Sequence, residues 1–429
     1  MRLARLLASR ALAARAPAAR APVALAAVAL AAVALASAAA AQPIRYVPIE
    51  AHQGADCGAA DLPACRVRRP WTPDSLRARL ADRAAVWLSA ADEVTFAFRG
   101  PATGVTACCS VQMPLSRLDG TDLWALSVRV PDADRLVMTA FVTVQDSLAD
   151  VAAGNFGEWI RLGRWAGPRA GPAPDRAETL SGTLSTDSLR SDALGAMRAV
   201  TVYLPPARPA GPLRVVYLAD GQSTEAYARI LEPAILAGRV PPVALVGLHS
   251  SGERTPGSNT DGRTHEYLVG VDSLRYAAHE RFFLGEVLPW AERTHGVSPQ
   301  PADRAVFGVS NGASFAAAMV RRHPERFAAA LAFSHAHDGL DADDDPDLAG
   351  RRFAFVAGRL EPAFAARART VAAAVAARGA DVRQELRPSG HDEAMWQAAF
   401  TDALAWALAP RADAVVGAPY GASPAPASP

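Results

Sequence analysis

Residues 304–320 read RAVFGVSNGASFAAAMV, and Gly308-Val309-Ser310-Asn311-Gly312 falls where an apolar run stops and an alanine-rich helical pattern begins. A serine on a tight strand-to-helix turn, between glycines whose missing Cβ atoms spare the neighbouring strand and helix, is placed as a nucleophile. Such a serine needs a base to take its proton and an acid to orient that base. Chain order at this kind of elbow is serine, acid, histidine, so the base must be His323, His335, His337 or His391. His323, in RRHPERF, ends a helical pattern among charges and reads as solvated surface. His335 and His337, in FSHAHDGLDADDDPD, adjoin an acidic run that raises a metal site. Acids clustered in one loop without helical ligand spacing read instead as a solvated loop. His391, in ELRPSGHDEAMW, lies between the last strand-like run and the last amphipathic helix, where a base would be presented.

The acid should come from the loop after the preceding strand, where FVAGRLEPAFAARA places Glu361 ahead of Pro362. A buried carboxylate there would hold the imidazole tautomer and stabilise its cation. The competing reading is a carboxylate favoured by the dipole at a helix start. Asp338 is the alternative acid, and Asp392 is too close in sequence to His391 to orient it comfortably. The oxyanion of acyl transfer needs two preorganised N–H donors. The Asn311 backbone supplies one, and the turn after VVYLAD offers Gly221 and the Gln222 backbone for the other. Arg263, in GSNTDGRTHEYL, could meet an anionic or phenolic substrate, or pair as scaffold with Glu266 or another acid.

These residues need a sheet behind them. From residue 198 onward the runs RAVTVYL, LRVVYLAD, VALVGLHS, AVFGVS, AAALAFS, RFAFVAG and VRQELRP alternate with helical stretches. That order predicts an α/β unit with a mostly parallel sheet covered on both faces, its ligand crevice at the carboxyl ends of the strands. Over residues 92 to 144 the runs DEVTFAFRG, GVTACCSVQ, TDLWALSVRV and LVMTAFVTVQ, divided by turn residues, predict a small β-sandwich. Ahead of it TPDSLRARLADRAAVWL reads as a helix capped by Thr72 with Pro73 at its first position. The Gly- and Pro-rich stretch from residue 163 reads as a linker and lead-in to 197, and 411–429 as a disordered tail.

Composition narrows the chemistry. All 44 basic residues are arginine, which removes Schiff-base and Ser-Lys mechanisms. A net charge of +1 favours neither nucleic acid nor an anionic surface. Arginines followed by an apolar stretch over about residues 22–36 and then small residues form a secretory signal pattern, with cleavage near Ala41 and a secreted or periplasmic product holding no stable membrane insertion. The four cysteines, Cys57, Cys65, Cys108 and Cys109, fit disulfides in an oxidising compartment, with three pairings open.

Together YLADGQ, RTHEYL, FFLGEVLPWAERTHGV, GVSNGA, AGRLEPAF and SGHDEAMW resemble the putative-esterase family of α/β-hydrolases, which includes enterochelin esterases, esterase D and the mycolyltransferases. The segment PLSRLDGTDLWALSVRVP is similar to the immunoglobulin-like N-terminal domain of the enterochelin esterase branch. The resemblance implies an immunoglobulin-like domain over 42–162, a hydrolase domain over 198–410, and ester hydrolysis through an acyl-enzyme without metal or organic cofactor. It implies a small-molecule ester, siderophore-like or from plant or glycan material. Feruloyl or acetyl-polysaccharide esterases and acyltransferases use the same triad, and a non-catalytic envelope or carbohydrate-binding protein could use the same scaffold.

Overall fold

The computed structural model describes residues 56–58, 64–108, 110–111, 113–147, 157–253, 261–337 and 346–409. The signal segment, the C-terminal tail, Cys109 and Asp338 lie outside the described residues.

The N-terminal part is built from β1 (Cys65–Val67), β2 (Ala84–Ala90), β3 (Glu93–Arg99), β4 (Gly104–Cys108), β5 (Met113–Pro114), β6 (Ser116–Arg117), β7 (Leu123–Arg129), β8 (Val137–Gln145) and β9 (Glu158–Ala166). They form two antiparallel sheets. One runs β1-β7-β3-β2 with β6 on β7, and the other runs β5-β4-β8-β9. Side chains alternate across each strand, so Phe96 and Phe98 of β3, Leu126 and Val128 of β7, and Met138, Ala140 and Val142 of β8 meet in one apolar cluster between the sheets. Cys57 and Cys65 are joined by a disulfide, and Cys108 is disulfide-bonded as well.

The expected helix from Thr72 is present but short. Thr72 and Ser75 cap it reciprocally, and it covers only Pro73–Arg77. The end of that pattern, AAVWL, lies in β2, paired antiparallel with β3. Its Val and Trp are strand formers, and pairing with β3 outweighs a helical spacing that the alanines and leucine made plausible.

The second part holds an 8-stranded sheet ordered β10 (Thr183–Ser191), β11 (Ala196–Leu204), β13 (Val243–Leu248), β12 (Arg214–Ala219), β14 (Arg304–Val309), β15 (Ala329–Phe333), β16 (Arg352–Gly358), β17 (Asp381–Arg387). The sheet is mixed. β10 pairs with β11 and β11 with β13 in antiparallel fashion, while the run from β13 to β17 is parallel throughout. The stretch 163–197 thus carries the end of β9 and all of β10, an exposed polar edge strand with no apolar alternation to betray it. Both faces of the sheet are buried. On β12, Val215, Tyr217 and Ala219 belong to one core, and Val216 and Leu218 to the other. Helices Thr224–Leu236 and Glu393–Leu408 contribute to the second core, helices Asn311–Arg322 and Pro362–Ala377 to the first. Among the described residues no helix is long and apolar enough to cross a membrane.

Candidate active site

β14 ends at Val309 and a helix starts at Asn311, leaving Ser310 alone on the turn with φ 55° and ψ −124°. A left-handed φ on a residue with a Cβ costs of order 1–3 kcal/mol and persists only where surroundings enforce it. Here the Ser310 N–H donates to the Phe333 carbonyl on β15 (2.9 Å), and the preceding Val309 carbonyl accepts from Arg263 (3.1 Å). The flanking glycines are steric requirements. A Cβ on Gly308 would lie 2.0 Å from the Gly312 carbonyl oxygen, and one on Gly312 would lie 3.0 Å from Cβ of Ala219 on β12.

Glu361 sits at the end of the loop after β16. Although it occupies the cap position of helix Pro362–Ala377, its side chain makes no capping bond. The carboxylate turns inward instead and is buried, at 3 % exposure. Oε1 accepts from the Gly358 N–H and the Ser334 hydroxyl, each at 2.7 Å, and Oε2 lies 2.6 Å from Nδ1 of His391. Trp396 Nε1–H donates to Ser334 Oγ (2.7 Å), which aims that hydroxyl at Glu361. The His391 ring lies between Phe364, at a centroid distance of 4.2 Å, and Trp396, at 5.1 Å. Its side chain keeps 13 % exposure, so the ring is not wholly enclosed.

The other histidines are otherwise engaged. His323 pairs with Glu280 (2.9 Å). His335 is buried against Phe355, and burial pushes its pKa down to about 3, so it is neutral at neutral pH. The His337 N–H donates to Ser314 Oγ (2.9 Å). Asp392 faces away from this chemistry. Its Oδ1 caps the last helix by accepting from Ala394 and Met395, and burial pushes its carboxyl up to about 7. Among the described residues no group of three or more His, Cys, Asp or Glu side chains is arranged to hold a metal ion.

The turn after β12 carries Asp220 in a left-handed conformation, followed by a single 3-10 turn at Gly221–Ser223. A Cβ on Gly221 would fall 2.2 Å from the Gly247 carbonyl oxygen, so this glycine lets the turn lie on β13. The Gln222 side chain bonds Ser250 Oγ (3.2 Å). Asn311 opens its helix, where the first N–H groups have no intrahelical acceptor. Beyond Ser250 lies a pocket of about 710 Å³ whose walls include Arg198, His249, Glu253 and Arg275 but none of Ser310, Glu361 or His391.

Arg263 is placed between the Asp220 turn and the Ser310 elbow, bonding Asp220 and the Val309 carbonyl. It grips Asp220 with two bonds (2.6 and 2.7 Å) and lies over the Tyr267 ring. Burial opposes its charge, but the Asp220 carboxylate outweighs this and raises the guanidinium pKa above its ordinary value. Glu266, the other partner considered for it, is paired with Arg198 (2.7 Å). Arg263→Ala would leave Asp220 buried and unpaired, a loss of about 3 kcal/mol. The melting temperature is expected to fall by roughly 5–10 °C, with KM for a small neutral ester unchanged. A stable variant whose KM rises several-fold for anionic or phenolic esters alone would make Arg263 a substrate contact instead.

Sequence reasoning missed Ser334, Trp396 and Phe364, which orient Glu361 and His391. Ser334 had one readable signal, its place at the carboxyl end of β15.

An α/β sheet with a serine elbow on a central strand, and a carboxylate–imidazole pair on the loops after later strands, defines the class of fold. The family described as Putative esterase matches residues 191–407, and the chain belongs to it, an ester hydrolase family. Comparison with curated proteins finds no match. Among solved structures, the enterobactin esterase of Shigella flexneri, crystallised in the presence of enterobactin, is similar over 79 % of this chain and 99 % of that one, at 15 % identity and a TM-score of 0.57. Ferric enterobactin esterase of Salmonella typhimurium is similar over 77 % of this chain and 98 % of that one, at 17 % identity and a TM-score of 0.55. A ferulic acid esterase of Anaeromyces mucronatus is similar over 55 % and 95 %, at 13 % identity and a TM-score of 0.44. The first two share the fold over more than the span from β10 to the last helix, so the likeness takes in part of the N-terminal sheets.

Proposed function

We propose that the protein is a secreted serine esterase that cleaves carboxylic esters through an acyl-enzyme. The observation that carries this reading is the 2.6 Å contact between His391 Nδ1 and the buried Glu361, on loops after β16 and β17. With Nδ1–H held by Glu361, the lone pair of Nε2 is free to take the Ser310 proton. Ser310 Oγ attacks the ester carbonyl, and the N–H groups of Asn311 and Gln222 hold the oxyanion. His391 then returns the proton to the departing alcohol. Water attacks the acyl-enzyme in a second round of the same proton traffic, releasing the acid. The substrate class is an enterochelin-like small ester, supported by the resemblance of both parts of the chain to enterochelin esterases. The same reading includes a signal peptide to residue 41, an immunoglobulin-like first domain to 162, a hydrolase domain over 198–410, and export of the mature chain.

A fluorophosphonate probe is expected to label the protein once, on the peptide carrying Ser310, with label and loss of turnover on p-nitrophenyl butyrate advancing together. Label on another serine would reassign the nucleophile. Neither label nor turnover would leave a binding protein on a hydrolase scaffold.

A further inference from the structure

The loops that carry Glu361 and His391 are held from outside the hydrolase sheet. All the described residues belong to one compact unit, and within it the N-terminal sheets touch both loops. Val137, first residue of β8, donates its N–H to the Pro388 carbonyl (3.0 Å), while its own carbonyl accepts from the Ser389 hydroxyl. One residue further on, a Cβ on Gly390 would lie 1.7 Å from the Ser110 carbonyl oxygen, so β-sandwich backbone rests directly on the residue before His391. Ser110 is itself fixed by its hydroxyl bond to Thr139 of β8 (2.9 Å). On the acid side Leu360, the neighbour of Glu361, is buried at 3 % exposure within the apolar cluster of the N-terminal sheets. The two loops are also tied to each other, Leu360 N–H to the Ser389 carbonyl (3.0 Å) and Arg359 N–H to the Arg387 carbonyl (2.9 Å).

We infer that the N-terminal β-sandwich sets the register of the acid–base pair, with Leu360, Ser389 and Gly390 as positioning residues that act through Glu361 and His391. This rests on the esterase reading above. Leu360 is an anchor sunk in one core whose next residue serves the other. Pulling it out, or wedging a methyl group under Ser110, moves the carboxylate or the imidazole relative to Ser310. A misplacement of about 1 Å in such a group costs on the order of a hundredfold in rate. Substrate affinity, set elsewhere, is untouched.

The test uses the full chain and p-nitrophenyl butyrate. Leu360→Ala and Gly390→Ala are expected to lower kcat at least tenfold with KM within about threefold of the unaltered protein. Leu360→Met, which refills the cavity, should recover most of the rate. Val128→Ala, a truncation of a β7 residue buried in the same cluster, should lower the melting temperature but leave kcat within about twofold. The inference is overturned if Val128→Ala loses as much kcat as Leu360→Ala, since general weakening of the sandwich would then explain both. It is equally overturned if Gly390→Ala, folded at the assay temperature, turns over like the unaltered chain. Should Leu360→Ala fail to fold, Gly390→Ala and Ser389→Ala decide alone. An unaltered chain that neither turns over nor takes the fluorophosphonate sinks the esterase reading itself, which separates the two failures.

Discussion

Ser310→Ala is expected to lower kcat on p-nitrophenyl butyrate by about 10⁴-fold or more and to abolish fluorophosphonate labelling. The size follows from removing the proposed nucleophile, the group that would form the covalent bond. The neighbouring Asn311 cannot replace it, since its amide has no nucleophilic oxygen to offer and bonds Thr264 Oγ1 (3.2 Å). The substitution keeps Cβ, so the left-handed strain at this position and the bond from its N–H to Phe333 are unchanged, and the melting temperature should stay within a few degrees. The backbone donors also remain, so a residual rate above that in water is expected. Hydrolysis at a tenth of the normal rate or more would mean that water, or another nucleophile, attacks the ester directly.

Glu361→Gln is expected to cost about 10³–10⁴-fold in kcat. The geometry says why an uncharged isostere fails. Oε1 accepts two hydrogen bonds, from Gly358 and Ser334, so the amide oxygen of glutamine takes that place and its NH₂ faces His391. A donor opposite Nδ1 forces the imidazole proton onto Nε2, and Nε2 then has no lone pair for the serine proton. Charge stabilisation of the imidazolium is lost as well. Since packing is conserved, KM and melting temperature should change little, and Asp338→Asn, measured beside it, should stay within a few-fold of the unaltered protein. The opposite ranking would transfer the acid role to Asp338.

Much of the candidate site was readable from residue order because the Ser310 turn and the Glu361 loop each follow a near-continuous apolar strand, and the His391 loop follows the last strand-like run. GVSNG announces itself through glycines that the neighbouring backbone demands. Glu361 and His391 are found by their place after FVAG and ELRP. What was not readable depends on contacts between segments far apart in the chain. No local pattern tells that Glu361 declines its helix cap and turns to His391, or that Asp220 claims the guanidinium of Arg263. Nothing around residue 390 explains its glycine until Ser110 is placed against it. β2 and β10 were missed for opposite reasons. The first has alanines that imitate a helix, and the second is an edge strand too polar to show a buried face.

The clip between Val137 and Ser389 joins residues 252 positions apart in the chain. Contacts of such sequence separation are made late, because closing the intervening loop costs entropy before the contact returns anything. The sandwich, synthesised first, must therefore wait for the last described strand, β17, before it can grip the His391 loop. A molecule with both halves folded but undocked would retain its secondary structure and lack a trained imidazole. Recovery of activity on refolding should therefore lag behind recovery of circular dichroism, and the interval between them measures the docking of one half upon the other.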